Sequence, residues 1–560
     1  MIRDGFYYDE DSFYVEDAYY EGCETDESGA QYWGQFLLGI DKTTGPVCAI
    51  REGTRVICNN AFYNGNNIWG NGKLQKIIIP ESVVAIADNA FDHCQGIEVI
   101  SHSKYFSVVN NMLIDNDEHK ILCYFGLDDE VVVPDGIKRL EQAFSHTTIK
   151  KITIPDSVKE IKYLAFSRCK NLQTVVLPNT IQKIGSGAFR ECKSLQGFPI
   201  PKSVKTIEDG AFSLCNSQHE YEIPASVKAI GDNPFSVFDD IRFRTTINNY
   251  FDGKTDNEPI EQYSIRITSR SKRFVCQDDM LIDTKEQRLI GYYGNAECVA
   301  IPDGIKVIGD NSFARKAVKQ VSIPDSVTKI GNHAFINTQL QEIEIPDSVK
   351  EFGRTAFGAC FSLKKVKLPK TLKCLSPGIF RGCVSLQDIV IPDSVEHIDD
   401  FAFEYCKSLK KLTIPASVRW IDEGAFENCG PIEVTNLSDK YRIVDNILID
   451  ILNRTVSYFG NDEHIVIPNG TTIIPPYVFA YASVRRVTIP DSVVRICDYA
   501  FCECQQLEEV YFGNKDIDIW GYAFDNCPSL KRIIVPRGSK GKFKKIFPKC
   551  EISTSNTKTN

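Results

Sequence analysis

Residues 150–169 read KKITIPDSVKEIKYLAFSRC, and variants of this stretch return along most of the chain. Residues 172–192 read LQTVVLPNTIQKIGSGAFREC and residues 195–215 read LQGFPIPKSVKTIEDGAFSLC. Pro155, Pro178, Pro201 and Pro224 are 23 residues apart, as are Pro346, Pro369, Pro392 and Pro415, whereas Pro302, Pro324 and Pro346 step by 22. A fixed period of this size is the mark of a solenoid, in which each repeat is one coil packed on the next.

The positions one and three before each proline are apolar, as in Ile154 and Ile152, Leu177 and Val175, Ile345 and Ile343, and Ile414 and Leu412. The residues between them, such as Thr153, Glu344, Lys367 and Thr413, are mostly polar. Period two predicts a short strand with one buried face. Proline then ends the ladder, because it lacks an N–H, and a polar pair such as Asp-Ser suits the turn. Val158–Ile161 and Val204–Ile207 read as a second extended segment on another wall. The glycines that follow (Gly185, Gly231, Gly309, Gly331) suggest a tight bend. Ala-Phe-x-x-Cys then reads as one turn of α or 3-10 helix that closes the coil. Its alanines, such as Ala165 and Ala188, must be small where coils crowd, and its phenylalanines, such as Phe166 and Phe189, fill the interior. Fifteen strand-ending prolines and two degenerate repeats at Arg51 and Gly513 predict about seventeen coils of 22–23 residues.

Three interruptions resemble one another: residues 107–126, 274–294 and 442–460. They align on Asp115, Asp283 and Asp450, with the turn pairs Asn110-Asn111, Asp278-Asp279 and Asp445-Asn446 between apolar runs, so each reads as an inserted β-meander. The acids at 115–118 could suggest a calcium loop, but the matching loops do not keep them, and a solvated turn is expected. This organisation divides the chain into an acidic, aromatic cap (1–46), first coils (47–96), three meander-plus-coil units (97–263, 264–431, 432–536) and a basic cap with tail (537–560). The cap is read as a β-hairpin covering the first coil. Residues 248–259 read as a long protruding loop. Eight Lys or Arg residues and no acid lie between Lys531 and Lys549, which predicts a short helix on the last coil. Residues 551–560 read as disordered.

The net charge is −10, and ten acids against Arg3 alone within residues 1–27 account for nearly all of it. So balanced a body argues against nucleic acid as a partner. No apolar run is long enough for a membrane-spanning helix, and the first residues lack the basic and apolar regions of an export signal. Of the twenty cysteines, ten stand three residues after a repeat phenylalanine, among them Cys169, Cys192, Cys215 and Cys383. That is a column of the stack, where a thiol acts as a small hydrophobe and weak donor to backbone. Reduced thiols fit a reducing compartment, so a cytoplasmic location is expected, with the cell surface as the alternative. The sequence holds no phosphate-binding loop, zinc-protease motif or nucleophile elbow, and its eight histidines show no local ligand spacing. No enzyme activity, cofactor or metal is expected. Asn436-Leu-Ser and Asn453-Arg-Thr match glycosylation sequons.

The repeat Ile-Pro-Asp-Ser-Val-Lys-x-Ile-x-x-x-Ala-Phe-x-x-Cys-x-x-Leu, over roughly residues 47–550, resembles the BspA-like leucine-rich repeat family. The meanders and the VPRGSKGKFKKIF ending are similar to members from Bacteroidetes. The resemblance implies a right-handed leucine-rich-repeat solenoid with sheets along its length, and adhesins that bind host matrix proteins or other bacteria. The residues themselves point to a protein-binding scaffold, with the long strand face as its recognition surface. Lys151, Thr153, Glu342, Glu344, Lys365, Lys367, Lys411 and Thr413 are the expected contact positions. Their alternating charge favours a protein partner over a polyanion. A carbohydrate-binding module is the other alternative, and it would need exposed aromatic rings on that face.

Overall fold

The computed structural model describes residues 2–3, 6–7, 23–41, 44–62, 74–92, 94–215, 220–236, 265–422, 424–452 and 454–554. The protein divides into two units, one of residues 1–239 and 263–284, the other of residues 240–262 and 285–560. Both are β-solenoids.

Each coil has three walls. The first is the strand before the proline. In the first unit Glu130–Val132, Lys151–Thr153 and Thr174–Val176 pair in parallel, in register, one coil apart. Ile152 is buried and its neighbours Lys151 and Thr153 are not, as the period of two demands. The second wall is a column of two-residue strands. Arg139–Leu140, Glu160–Ile161, Lys183–Ile184, Thr206–Ile207 and Ala229–Ile230 run without a break. The serine after each proline joins the two walls. Ser203, Ser226, Ser394 and Ser417 donate their hydroxyls at 2.6–2.7 Å to the Ile181, Val204, Leu372 and Val395 carbonyls one coil back. The glycine after the second strand is needed for close approach: a Cβ on Gly185 would stand 2.6 Å from the Lys162 carbonyl carbon.

The third wall corrects the expected helical turn. Among the described residues the only helix is Lys540–Ile546. The Leu164, Phe166 and Arg168 amides donate to Ser186, Ala188 and Arg190 of the next coil at 3.1, 2.8 and 2.7 Å. The amides between them, Ser167 and Cys169, close onto Leu164 and Phe166 of their own turn at 3.0 and 3.2 Å. A helix directs every amide into itself, so it cannot share donors this way. Leu164 and Arg168 take positive φ (52° and 61°) to aim alternate amides upward. That conformation costs about 1–2 kcal/mol per residue, offset by the inter-coil bonds it permits.

The core lies between the walls. Phe144, Phe166, Phe189, Phe212 and Phe235 stack at 5.3–5.5 Å in the first unit. In the second, Phe335 and Phe357 are 5.2 Å apart and 1° from parallel. All of these rings are buried.

Among the described residues there are twenty first-wall strands against seventeen expected coils, and the expected coil that ends at Pro201 forms no strand there. Glu98–Ser101, Arg266–Ser269, Glu433–Asn436 and Glu551–Thr554 end without proline, so the proline count leaves them out, although the ragged stretch 233–270 reads as one degenerate coil and Arg266–Ser269 lies in it. The last also corrects the reading of 551–560 as disordered, since Glu551–Thr554 pairs in parallel with Arg532–Val535. Asn436 is engaged by its own fold, donating its side-chain amide to the Ser438 and Tyr441 carbonyls at 3.1 and 2.7 Å.

The meanders are part of the coils. In the first, Phe106–Val109, Met112–Asp115 and Lys120–Tyr124 are antiparallel, and the third strand opens the second wall by pairing with Arg139–Leu140. Glu24–Thr25, Ala30–Trp33 and Phe36–Ile40 repeat this plan, joining Val56–Ile57, so part of the expected cap is a fourth meander. Most of the cap tyrosines and the 248–259 loop lie outside the described residues. The aligned aspartates are buried rather than solvated. Asp115 accepts the Asp117 and Glu118 amides at 3.1 and 3.0 Å, Asp283 pairs with Arg273 at 2.6 Å, and Asp450 with Arg454 at 2.7 Å.

The expected C-terminal helix, Lys540–Ile546, packs Phe543 against Phe512 at 4.8 Å.

Candidate functional site

In the second unit the first wall holds a groove of about 1010 Å³. It spans the strands Gln320–Ser322, Glu342–Glu344 and Lys365–Lys367 and the turns that follow Ile323 and Pro346. The groove lies at an interruption of the ladder. Glu342–Glu344 pairs with Lys365–Lys367, and Gln320–Ser322 pairs with Cys298–Ala300, but Gln320–Ser322 and Glu342–Glu344 are not ladder partners. The interruption stands beside the point where the proline spacing changes from 22 to 23 residues.

Four of the eight expected contact positions meet here. Glu342, Glu344, Lys365 and Lys367 all line the groove, and each is exposed. Register places Lys365 beside Glu342 and Lys367 beside Glu344. The Glu344 carboxylate accepts a hydrogen bond from the Lys367 ammonium and holds it above the ordinary lysine range. The other four stand elsewhere. Lys151 and Thr153 belong to the first unit, where Lys151 pairs with Glu130 at 2.8 Å. Lys411 and Thr413 lie two coils beyond Lys365–Lys367, and Lys411 pairs with Glu433 at 3.2 Å.

Pairing of this kind recurs over the first wall, as in Lys319 with Glu297 at 2.6 Å and Arg485 with Glu508 at 2.7 Å. Each such pair is solvated and weak. Its use is to keep the strand face mixed in sign, since a lysine on one coil answers an acid on the next. Sequence reasoning missed Asp325, Asp347 and Lys370, which add charge at the groove's turn side. They all follow a strand-ending proline by one residue, so stacking the repeats in columns would have placed them beside the strand positions. The Lys370 amide donates to the Asp347 carboxylate at 2.7 Å, which ties these two turns together. No aromatic ring is among the described lining residues.

Among the described residues no helix is long and apolar enough to cross a membrane. All twenty cysteines are free. The ladder thiols donate to the phenylalanine carbonyl one coil back: Cys192 to Phe166 at 3.1 Å, Cys215 to Phe189 at 3.0 Å, Cys383 to Phe357 at 3.2 Å and Cys429 to Phe403 at 2.9 Å. Burial pushes these thiols above the ordinary cysteine range, so they are inert packing groups.

The model of the BspA type leucine-rich repeat region matches the sequence in six copies, over residues 56–119, 138–251, 291–398, 373–448 and 450–560, which is most of the chain. Three solved structures are similar in fold. A leucine-rich cell surface protein from Faecalibacterium prausnitzii is 24% identical, over 75% of this chain and 93% of that one, with a TM-score of 0.41. A leucine-rich repeat protein from Eubacterium ventriosum is 22% identical, over 58% and 89%, with a TM-score of 0.48. Another from Bacteroides ovatus is 18% identical, over 80% and 98%, with a TM-score of 0.36. No protein of curated function matches the sequence.

Proposed function

From the premise that this chain belongs to the BspA type leucine-rich repeat family, we propose that it is a non-enzymatic scaffold that binds a protein partner through the first-wall groove of its second unit. The observation that carries this reading is the groove itself, about 1010 Å³ of space lined by acids and lysines in matched register. A surface of mixed sign discriminates among protein partners, because a wrong partner sets like charges together. A polyanion would be repelled by Glu342, Glu344, Asp325 and Asp347 as much as it is drawn by the lysines. A glycan would lack rings to stack on. Two pairs of substitutions test the reading, K365E/K367E and E342K/E344K. Affinity capture from native extract followed by mass spectrometry supports it if one protein enriched by the wild type is lost with both variants while their thermal melting is unchanged. Retention of every captured protein by both variants refutes it.

Twenty free cysteines support a reducing compartment for the same protein. Fractionation of native cells tests this, and recovery from intact cells by surface proteolysis would reassign it to the adhesin reading.

A further inference from the structure

The second wall of the second unit carries a cluster that the strand-face groove does not use. Cys374–Leu375, His397–Ile398 and Trp420–Ile421 are consecutive parallel strands, with Cys374 in register with His397 and His397 with Trp420. Just past each strand the chain turns a corner, and there Asp399 and Asp422 stack. The Asp399 amide donates to the Leu375 carbonyl at 3.0 Å and the Asp422 amide to the Ile398 carbonyl at 2.9 Å. Stacking therefore sets a thiol beside an imidazole in one column and a carboxylate beside a carboxylate in the next.

The side chains converge. His397 Nε2 is 2.9 Å from Asp422 Oδ2 and 3.3 Å from Asp399 Oδ1. The Cys374 thiol donates to Asp399 Oδ2 at 3.3 Å. Ligand atoms of Cys374, His397 and Asp399 all lie within 4.8 Å of one another. Cys374 thus departs from the ladder cysteines, which donate to backbone carbonyls. It is half-buried.

The charges of this cluster are not balanced by the groups that make it. Nε2 carries at most one hydrogen, so it cannot serve Asp399 and Asp422 together. Asp400 adds a third acid. A small cation at the centre would satisfy the carboxylates, the imidazole and the sulfur at once.

We propose that Cys374, His397, Asp399 and Asp422 form a binding site for a divalent transition-metal ion of the zinc class. A thiolate, an imidazole nitrogen and carboxylate oxygens are the ligand types that zinc takes. Bonds of about 2.0–2.3 Å in a tetrahedron put neighbouring ligand atoms roughly 3.3–3.7 Å apart. His397 Nε2 to Asp399 Oδ1 and Cys374 Sγ to Asp399 Oδ2 are already at 3.3 Å, and Cys374, His397 and Asp399 offer atoms within 4.8 Å of one another; Asp422, 2.9 Å from Nε2 but outside that group, swings in from the His397 side to complete the set. On binding, the Cys374 S–H proton leaves to solvent, and His397 carries its hydrogen on Nδ1 so that the Nε2 lone pair faces the ion. No redox step is involved. The inter-coil bonds hold the four backbones in place beforehand, and the partly exposed side chains leave an entry path. Trp420, 6.2 Å from the imidazole between ring centres, flanks it on the far side from Cys374.

The test uses the full chain, treated with chelator, reduced with a phosphine and titrated with Co(II). The expected result is a thiolate-to-cobalt charge-transfer band with visible d–d bands of tetrahedral intensity, saturating at one ion per chain and erased by one equivalent of Zn(II). C374S removes the charge-transfer band, and D422N weakens Co(II) binding by about 10- to 100-fold. Thermal melting checks that each variant folds. If C374S does not fold, D422N, at the exposed corner, decides. A wild-type protein with no band in excess Co(II), a band undiminished in folded C374S, or unchanged affinity in D422N overturns the proposal. The readout is spectroscopic, so it is separate from the fate of the strand-face groove.

Discussion

The Cys192 thiol donates to the Phe166 carbonyl oxygen at 3.1 Å across a coil boundary. That carbonyl is one of a column, and its neighbours on Phe144 and Phe189 also accept cysteine thiols. Cys192→Ala removes one of the two hydrogen bonds to that carbonyl, which keeps the Cys169 amide at 3.2 Å, and leaves a small void. We expect a loss of about 1–3 kcal/mol in denaturant unfolding. Cys192→Thr should lose less, because Thr147 and Thr338 already fill equivalent slots, where their hydroxyls donate to the Phe144 and Phe335 carbonyls of their own turn at 2.8 and 2.9 Å rather than to the coil behind. Equal losses for the two variants would show that volume, not the hydrogen bond, is what the column needs.

A thiol reagent under native conditions should label the outlying cysteines and spare the ladder. Cys298 is exposed and Cys276 is half-buried, whereas Cys169, Cys192, Cys360, Cys383 and Cys406 are buried. Peptide mapping after a short exposure checks this. Fast labelling of Cys192 or Cys383 in the folded protein would contradict the packing described.

Stability should fall as pH rises through neutrality, and Glu404 should be a principal cause. It is buried beside Arg381, Glu427 and the phenols of Tyr405 and Tyr481. Burial pushes its carboxyl up to about 7, although Arg381 opposes the shift. Burial and the Glu404 charge also push Glu427 well above the ordinary carboxylate range. One arginine cannot neutralise two buried carboxylates. A pKa raised on folding contributes stability that is complete below the unfolded value, near 4.5, and is lost as pH rises through about 7. The expected loss is on the order of 2–3 kcal/mol between pH 5 and pH 8. Glu404→Gln should flatten that slope, and melting curves across the range decide it.

Truncating one ring of the phenylalanine stack should be severe. Phe357 sits 5.2 Å from Phe335 and 5.8 Å from Phe380. Phe357→Ala should cost about 3–5 kcal/mol. In a solenoid the damage should concentrate in adjacent coils, so hydrogen exchange should rise first at residues 335–403. Uniform exchange over the whole second unit would contradict nearest-neighbour coupling.

Gly126 and Gly460 end two meanders, and each sits under a tyrosine hydroxyl. A Cβ would stand 2.3 Å from Tyr124 Oη at the first and 2.6 Å from Tyr458 Oη at the second. Those hydroxyls donate to Asp128 and Asp462 at 2.9 and 3.0 Å. Gly126→Ala should cost about 1–3 kcal/mol by overpacking. Tyr124→Phe in the same chain should recover only a small part of the loss, because it removes the hydroxyl but leaves ring carbons Cζ and Cε2 at 2.5 and 2.7 Å from the added Cβ. A double mutant no more stable than Gly126→Ala alone would place the cost in the ring carbons or the backbone rather than in the hydroxyl.

Much of this fold was legible because its physics is local and repeated. The strand Lys151–Thr153 follows from Ile152 and Ile154 alternating with polar neighbours, and Pro155 marks its end. The column of Cys169, Cys192 and Cys215 follows from their 23-residue spacing. The third wall was misread because Ala-Phe-x-x-Cys has a helical look when taken alone, and only the carbonyls of the next coil turn Leu164 and Arg168 left-handed. The coils at Glu98–Ser101 and Glu433–Asn436 were missed because the proline that marks the others is absent. Asp283 was taken as solvated because Arg273, which buries it, belongs to another strand of its hairpin. The groove was half legible: Glu342, Glu344, Lys365 and Lys367 were found from period two, and Asp325, Asp347 and Lys370 were not.

By itself the sequence determined that short strands stack at a period of 22–23 residues, with phenylalanine and cysteine inside and charge outside. Burial of apolar side chains and the missing N–H of proline act within one repeat, so they can be read from one repeat. Only the tertiary structure decided where the ladder opens into a groove, and that Cys374, His397, Asp399 and Asp422 share one place. Those residues come from three successive coils, and each touches a neighbour one coil away. Such neighbours are created by the stacking itself, and no local pattern of residues carries their positions.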